Sequence, residues 1–281
     1  MPRLLTEAQV QHYKTHGFVC PIGALGADEA RSTLARMEDL ERREPDLWAR
    51  AKIKPYLLMK WMNDLMRHPK ILDAVEDVLG PNILGWAAGH FDKKPRDPGF
   101  LAWHQDGTYW GLSQPDGVAA WVALTPSRRV NGCLRVIPGS HHKGQLPHRD
   151  TYAAANLASR GQEVEVAVDE ADAVDLELQP GEISLHHIML VHGSEPNRSD
   201  TRRCGIVLRY VAAHVQPLDG FKDSATLVRG VDRYGHFAPE PVPQRDFDPP
   251  AVAFYNEITA ENRRRKEAVA ARHQGERQVQ A

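Results

Sequence analysis

Trp103-His104-Gln105-Asp106 sets an imidazole and a carboxylate two residues apart. On an extended strand, residues i and i+2 project to the same face, so His104 and Asp106 can grip one divalent cation between them. A third ligand has to come from elsewhere in the chain, and His192, in Leu190-Val191-His192-Gly193-Ser194, is the leading choice. Two imidazoles and a carboxylate on one face of a metal leave the opposite positions open, the arrangement of non-haem Fe(II) oxygenases. Beyond His192, Arg203 stands on a strand-like run. Its planar fork suits a bidentate pair with a carboxylate, and the Ser194 hydroxyl can add a bond to the same group.

Other residues gather around these. Arg203, Gly205, Val207 and Arg209 alternate, so Arg209 is expected to share the interior face of Arg203, meeting either an anionic substrate or a buried carboxylate, since buried charges need partners. Tyr109 and Trp110 follow the His-x-Asp motif and are candidates either for the substrate pocket, where aromatic walls are common, or for the core. His186 and His187 are read as core histidines or as neighbours supporting the third ligand, His141 and His142 as loop-shaping residues. Lys54, Lys60 and Trp61 are assigned surface and packing roles.

The elements that must position these groups change character along the chain. The first 80 or so residues read as helical. Thr6 caps a helix ending at Gly17; Asp28–Arg43 carries Leu34, Met37 and Leu40 at helical spacing; His68–Leu79 presents Ile71, Leu72, Val75 and Val78 on one stripe before Gly80-Pro81 stops it. After Asn82, short β-prone runs follow one another: Ile83–Trp86, Phe100–Trp103, Val118–Leu124, Cys133–Ile137, Val174–Leu178, Ile183–Leu185 and Cys204–Val211. Asn131-Gly132 reads as a hairpin turn. The segment 216–250 is rich in proline and too long for a plain connection, so it is read either as a covering loop that closes over the barrel mouth or as a mobile segment. Asn256–His273 reads as a charged helix.

In combination, His104-Gln105-Asp106, the Ala120–Leu124 strand, Asn131-Gly132-Cys133-Leu134, Ile137-Pro138-Gly139-Ser140-His141 and His192-Gly193-Ser194 with Arg203 resemble the phytanoyl-CoA dioxygenase family, over roughly residues 6 to 212. The resemblance implies Fe(II) on His104, Asp106 and His192. It implies 2-oxoglutarate held by Arg203 and Ser194, with Gln105 and Trp121 as further cosubstrate contacts, and O2 as the second cosubstrate. Related halogenases lack the metal-binding carboxylate; this chain keeps Asp106, which favours hydroxylation of an aliphatic C–H of a small organic substrate. Two other classes are compatible with the ligands alone: a cupin-like metal isomerase or hydrolase, and a non-catalytic jelly-roll binding protein. Neither needs Arg203 and Ser194.

The expected architecture is mainly β with flanking α: a double-stranded β-helix, or jelly roll, with N-terminal helices packed on the sheet. One domain is expected over 1–255. It comprises a helical region over 1–81, a jelly-roll core of about 82–212 and a covering segment of about 213–255, followed by a charged helix and tail over 256–281. The formal net charge of -2 argues against a nucleic-acid binder. No run of about 18 apolar residues suggests a membrane span, and the N-terminus lacks a signal-peptide core. The 3 cysteines are scattered and form neither a zinc pattern nor a disulfide framework, which points to a reducing cytoplasm.

Overall fold

The computed structural model describes residues 1–261 except 52, 159 and 219–222, together with all side chains in that span but those of Arg50 and Tyr109. Five α-helices are described before the first long strand: α1 (Glu7–His16), α2 (Ala27–Arg43), α3 (Pro45–Arg50), α4 (Lys60–Met66) and α5 (Pro69–Leu79). α1 forms where the sequence signals it. Thr6 and Gln9 make a reciprocal capping box, and Gly17 closes the helix at φ 82°, a left-handed conformation that glycine adopts without steric cost.

The strands are β1 (Phe18–Gly23), β2 (Ile83–Lys93), β3 (Leu101–His104), β4 (Gly117–Ala123), β5 (Leu134–Val136), β6 (His148–Asp150), β7 (Gln162–Val164), β8 (Val174–Leu176), β9 (Glu182–His187), β10 (His192–Ser194), β11 (Arg203–Ala212), β12 (Ser224–Arg229) and β13 (Ala238–Pro239). Seven form a large sheet in the order β1-β9-β4-β11-β2-β12-β13, four form a smaller sheet, β3-β10-β5-β8, and β6-β7 is a separate hairpin. Every pairing among these strands is antiparallel except β12 with β13. This is the expected jelly roll.

Alternation along the large sheet makes its two faces chemically different. Val118, Ala120 and Val122 of β4 and Cys204, Ile206, Leu208 and Tyr210 of β11 join Met37, Leu40, Met62, Met66, Ile71 and Val75 of the helices in the main core. Burying a side chain of that size stabilises the fold by roughly 1.5–3 kcal/mol, so the helical layer is fastened along the whole sheet. The intervening residues, Ala119, Trp121, Ala123 and Val207, turn inward and pack with Leu178. The inner face is therefore the one available for chemistry.

Three expectations change. Asn131-Gly132 does not make a two-residue hairpin: Arg129–Asn131 is one turn of 3-10 helix, and only Gly132 has positive φ, 76°. The segment after residue 212 does not lie wholly over the mouth. β12 and β13 extend the large sheet, and Glu240 is buried against Lys54 at 2.8 Å. The last described helix begins at 249, not 256, and puts Tyr255 into the main core; residues 262–281 of the expected tail lie outside the described residues. No described helix is long and apolar enough to cross a membrane.

Candidate active site

β3 and β10 are neighbours in the small sheet, and His104 pairs directly with His192 across them. The chain stays extended through Gln105 (φ -116°, ψ 129°), so Asp106 returns to the face of His104. The outcome is a cluster in which ligand atoms of His104, Asp106 and His192 all lie within 4.8 Å of one another. The two imidazole centroids are 4.2 Å apart, and His104 Nε2 is 3.8 Å from Asp106 Oδ1.

The ring orientation of both histidines is fixed by the backbone. His104 Nδ1 lies 2.8 Å from the Ala102 carbonyl and His192 Nδ1 2.9 Å from that of Leu190. A carbonyl only accepts, so each Nδ1 carries the proton and each Nε2 keeps its lone pair, the support that metal-bound imidazoles receive. Burial, with His192 adding to it, lowers the His104 pKa to about 3; burial and the adjacent His186 lower that of His192 to about 4. Both rings are therefore neutral at neutral pH. Burial alone would raise the Asp106 carboxyl, but the Arg209 guanidinium and the nearby imidazoles outweigh it and hold the pKa at about 2. Two neutral nitrogen donors and one ionised carboxylate make a fitting set for Fe(II).

Arg209 meets the buried carboxylate allowed for in the sequence. Its Nε is 3.7 Å from Asp106 Oδ2, while Oδ1 faces His104. The guanidinium lies 6.0 Å from the ring centroids of both Phe91 and Trp110, and Trp110 in turn packs against Trp86 at 4.6 Å. Arg209 thus stands between Asp106 and Trp110; the Tyr109 side chain lies outside the described residues. His186, read as a core histidine or a support for the third ligand, comes to 4.8 Å from the His192 ring with Nδ1 unbonded.

Arg203 is buried on the inner face, and its Nε and Nη2 have no hydrogen-bond partner. Burial lowers its pKa to about 10. The Trp121 ring lies 5.4 Å from the guanidinium, and Gly205 lets the indole sit there: a Cβ on Gly205 would be 2.3 Å from Trp121 Cζ2. A buried guanidinium with idle donors is a costly arrangement unless an anion completes it. Ser194 is buried nearby and accepts a bond from Lys93 Nζ at 2.7 Å. Lys93 is the residue that the sequence reading missed.

Gln105 has a different role from the cosubstrate contact expected of it. Its amide donates to the carbonyls of Gly144 (2.9 Å) and Met189 (2.7 Å) and accepts from Leu146 N (2.8 Å). It pins two loops together from the far side of the strand. His141 and His142 do shape a loop, with Nε2 atoms against the carbonyls of Lys14 and Thr15 at the end of α1. A cleft of about 440 Å³ is lined by Trp103, Arg135, Glu170 and Ser194 among others, and by none of His104, Asp106 and His192. Arg135 there is already paired with Glu170, Asp175 and Glu195, so the cleft presents no idle charge of that kind.

This geometry agrees with what the chain is similar to. It is 38% identical to a non-heme monooxygenase, ThoJ, solved in its apo form, covering 93% of this chain and 98% of that one with a TM-score of 0.83. It is 31% identical over 168 residues to a probable alpha-ketoglutarate-dependent hypophosphite dioxygenase of Stutzerimonas stutzeri, 59% of this chain and 58% of that protein. It is 27% identical over 215 residues to the 1-deoxypentalenic acid 11-beta-hydroxylase of Streptomyces exfoliatus, 69% of this chain and 75% of that protein. The match thus spans little more than half the length of the first of these curated relatives. The family model described as phytanoyl-CoA dioxygenase (PhyH) runs from residue 13 to residue 205, through all three clustered ligands, Lys93 and Arg203, and the chain belongs to that family.

Proposed function

We propose that this chain is an Fe(II)- and 2-oxoglutarate-dependent dioxygenase that hydroxylates an aliphatic C–H of a small organic molecule. The observation that carries the reading is a pair of features on the inner face: a His104–Asp106–His192 cluster within 4.8 Å and a buried Arg203 with idle nitrogens. An isomerase or hydrolase on the same ligands gives Arg203 nothing to do.

His104 and His192 would hold the iron through Nε2, and Asp106 through the oxygen that faces His104. Iron bound there, with 2-oxoglutarate and O2, supplies an oxidation that releases succinate and CO2 and leaves a hydroxyl on the substrate. The protein's own work is placement and exclusion of water. The Ala102 and Leu190 carbonyls orient the imidazoles. Arg209, 3.7 Å from one oxygen of Asp106, holds the carboxylate in its ionised form. Arg203, backed by Trp121, receives the far carboxylate of 2-oxoglutarate together with Ser194. Trp110 and Arg209 form the side where substrate enters. No side chain here acts as a general base.

The test is turnover without the physiological substrate. Purified protein with Fe(II), ascorbate and 2-oxoglutarate should release succinate slowly, and His192→Ala should release none. Absence of both succinate and metal-dependent 2-oxoglutarate binding from the wild-type protein would sink the reading.

A further inference from the structure

Arg203 does not stand alone in its niche. It pairs across the strands with Lys93, the last residue of β2, and cross-strand partners carry their side chains on the same face, about 4.5–5.5 Å apart at Cβ. Lys93 is fully buried (0% exposed). Its Nζ donates to Ser194 Oγ at 2.7 Å and to the Glu195 carbonyl, so it ties the large sheet to the strand that carries His192. Among the described residues, neither Lys93 nor Arg203 makes an ion pair with a carboxylate.

The groups facing Lys93 leave its charge uncompensated. Arg203, on β11, repels it. The Glu195 carboxylate is turned to Arg129 and Arg135. The Asp97 carboxylate accepts from the backbone nitrogens of Lys94 and Gly99. The Cys133 thiol is pushed up to about 12 by burial and stays neutral. Gly132 leaves room for the amine: a Cβ there would sit 2.2 Å from the Glu195 carbonyl and 3.0 Å from Lys93 Nζ. The Asn131-Gly132 pair therefore has a use that a hairpin turn would not give it.

We propose that Lys93 is the second cation of the pocket for the distal carboxylate of 2-oxoglutarate, acting beside Arg203 and through Ser194, and that it takes up a proton when that carboxylate arrives. This rests on the proposed cosubstrate. In the ligand-free protein, burial and Arg203 pull the Lys93 pKa down to about 7, so the amine is divided between its two forms near neutral pH. An entering carboxylate supplies the missing anion, favours the ammonium, and so draws one proton from solvent onto Nζ.

The experiment is anaerobic calorimetry of 2-oxoglutarate binding to the Mn(II)-loaded protein, in phosphate and in Tris, at several pH values. The heat difference between buffers counts protons. Wild-type protein should take up about half a proton at pH 7 and progressively less below pH 6, following the ligand-free pKa of about 7. Lys93→Met should bind about tenfold more weakly, the scale of a lost charge-assisted bond, and take up none. Lys93→Gln, which keeps a donor for Ser194 but no charge, should likewise lose the uptake and guards against a folding defect in the first variant. Wild-type affinity or undiminished uptake in both variants would overturn the inference, while loss of binding in Arg203→Met alongside would leave the cosubstrate reading standing. A wild-type protein that binds no 2-oxoglutarate would overturn both.

Discussion

Replacing Arg203 by methionine should make the ligand-free protein more stable while abolishing its response to 2-oxoglutarate. The guanidinium is 3% exposed and its pKa is pulled down to about 10, against an ordinary value of about 12.5. At about 1.4 kcal/mol for each tenfold loss of proton affinity, carrying the charge in that niche costs about 3 kcal/mol. A lowered pKa in a cation is a penalty present wherever the group is protonated, which includes neutral pH. The Trp121 ring at 5.4 Å returns about 1–2 kcal/mol of that. Methionine fills most of the same space without the charge, so the net gain is about 1–2 kcal/mol, or about 2–6 °C in Tm for a chain of this size. Scanning calorimetry of metal-free wild type and variant measures it directly, and adding 2-oxoglutarate to the Mn(II)-loaded proteins should raise the melting point of the wild type only. A variant that melts several degrees below wild type would refute the reasoning, because the guanidinium would then be part of the scaffold and not a receptor awaiting an anion.

Asp106→Ala should weaken binding of Mn(II) or Fe(II) by at least about a hundredfold, since it removes the one anionic ligand; equilibrium dialysis against either metal checks this, and unchanged affinity would count against the triad. The metal-free protein should lose stability as pH falls. His104, His186 and His192 are lowered to about 3, 4 and 4, in each case chiefly by burial, so between about pH 6.5 and 4 the unfolded chain takes protons that the folded one refuses, at up to about 1.4 kcal/mol per pH unit for each ring. Thermal melts should be nearly flat above pH 6.5 as far as these groups are concerned and fall steadily below it; a profile level down to pH 4.5 would contradict the assigned burial. Glu240→Ala should cost about 3–5 kcal/mol by stranding the Lys54 ammonium in the interior, and the double variant Lys54→Met with Glu240→Leu should recover most of it in urea titrations; equal damage from both would show that packing, not charge, is at issue.

How much of this was legible in the sequence depends on whether the signal was local. The His104/Asp106 pair could be read because period-two geometry acts over three residues, and the same rule turns Gln105 to the other side, where its amide pins the loops at Gly144 and Met189. Alternation also put Arg209 with Arg203. α1, α2 and α5 were visible from caps and apolar stripes, whereas α4, seven residues long, is held by packing and has no such signature. Lys93 was invisible for a physical reason: its partner is set by the register of β2 on β11, which no local pattern encodes. β12 and β13 were hidden by the prolines around them, and Lys54 looked like a surface lysine because its counter-charge is Glu240, far along the chain.

That last pairing bears on how the protein is made. A ribosome delivers His104, Asp106, His192, Lys93 and Arg203 once residue 203 has emerged, yet the amine at position 54 has no counter-ion until the glutamate at 240 follows. The hydroxyls of Tyr56 and Ser224 bond the same glutamate, so this late-arriving carboxylate gathers early and late segments of the fold around itself. A nascent chain halted near the end of the family-matched region would possess the chemistry without the keystone, and expression trials that trim the polypeptide to that central stretch should yield insoluble product.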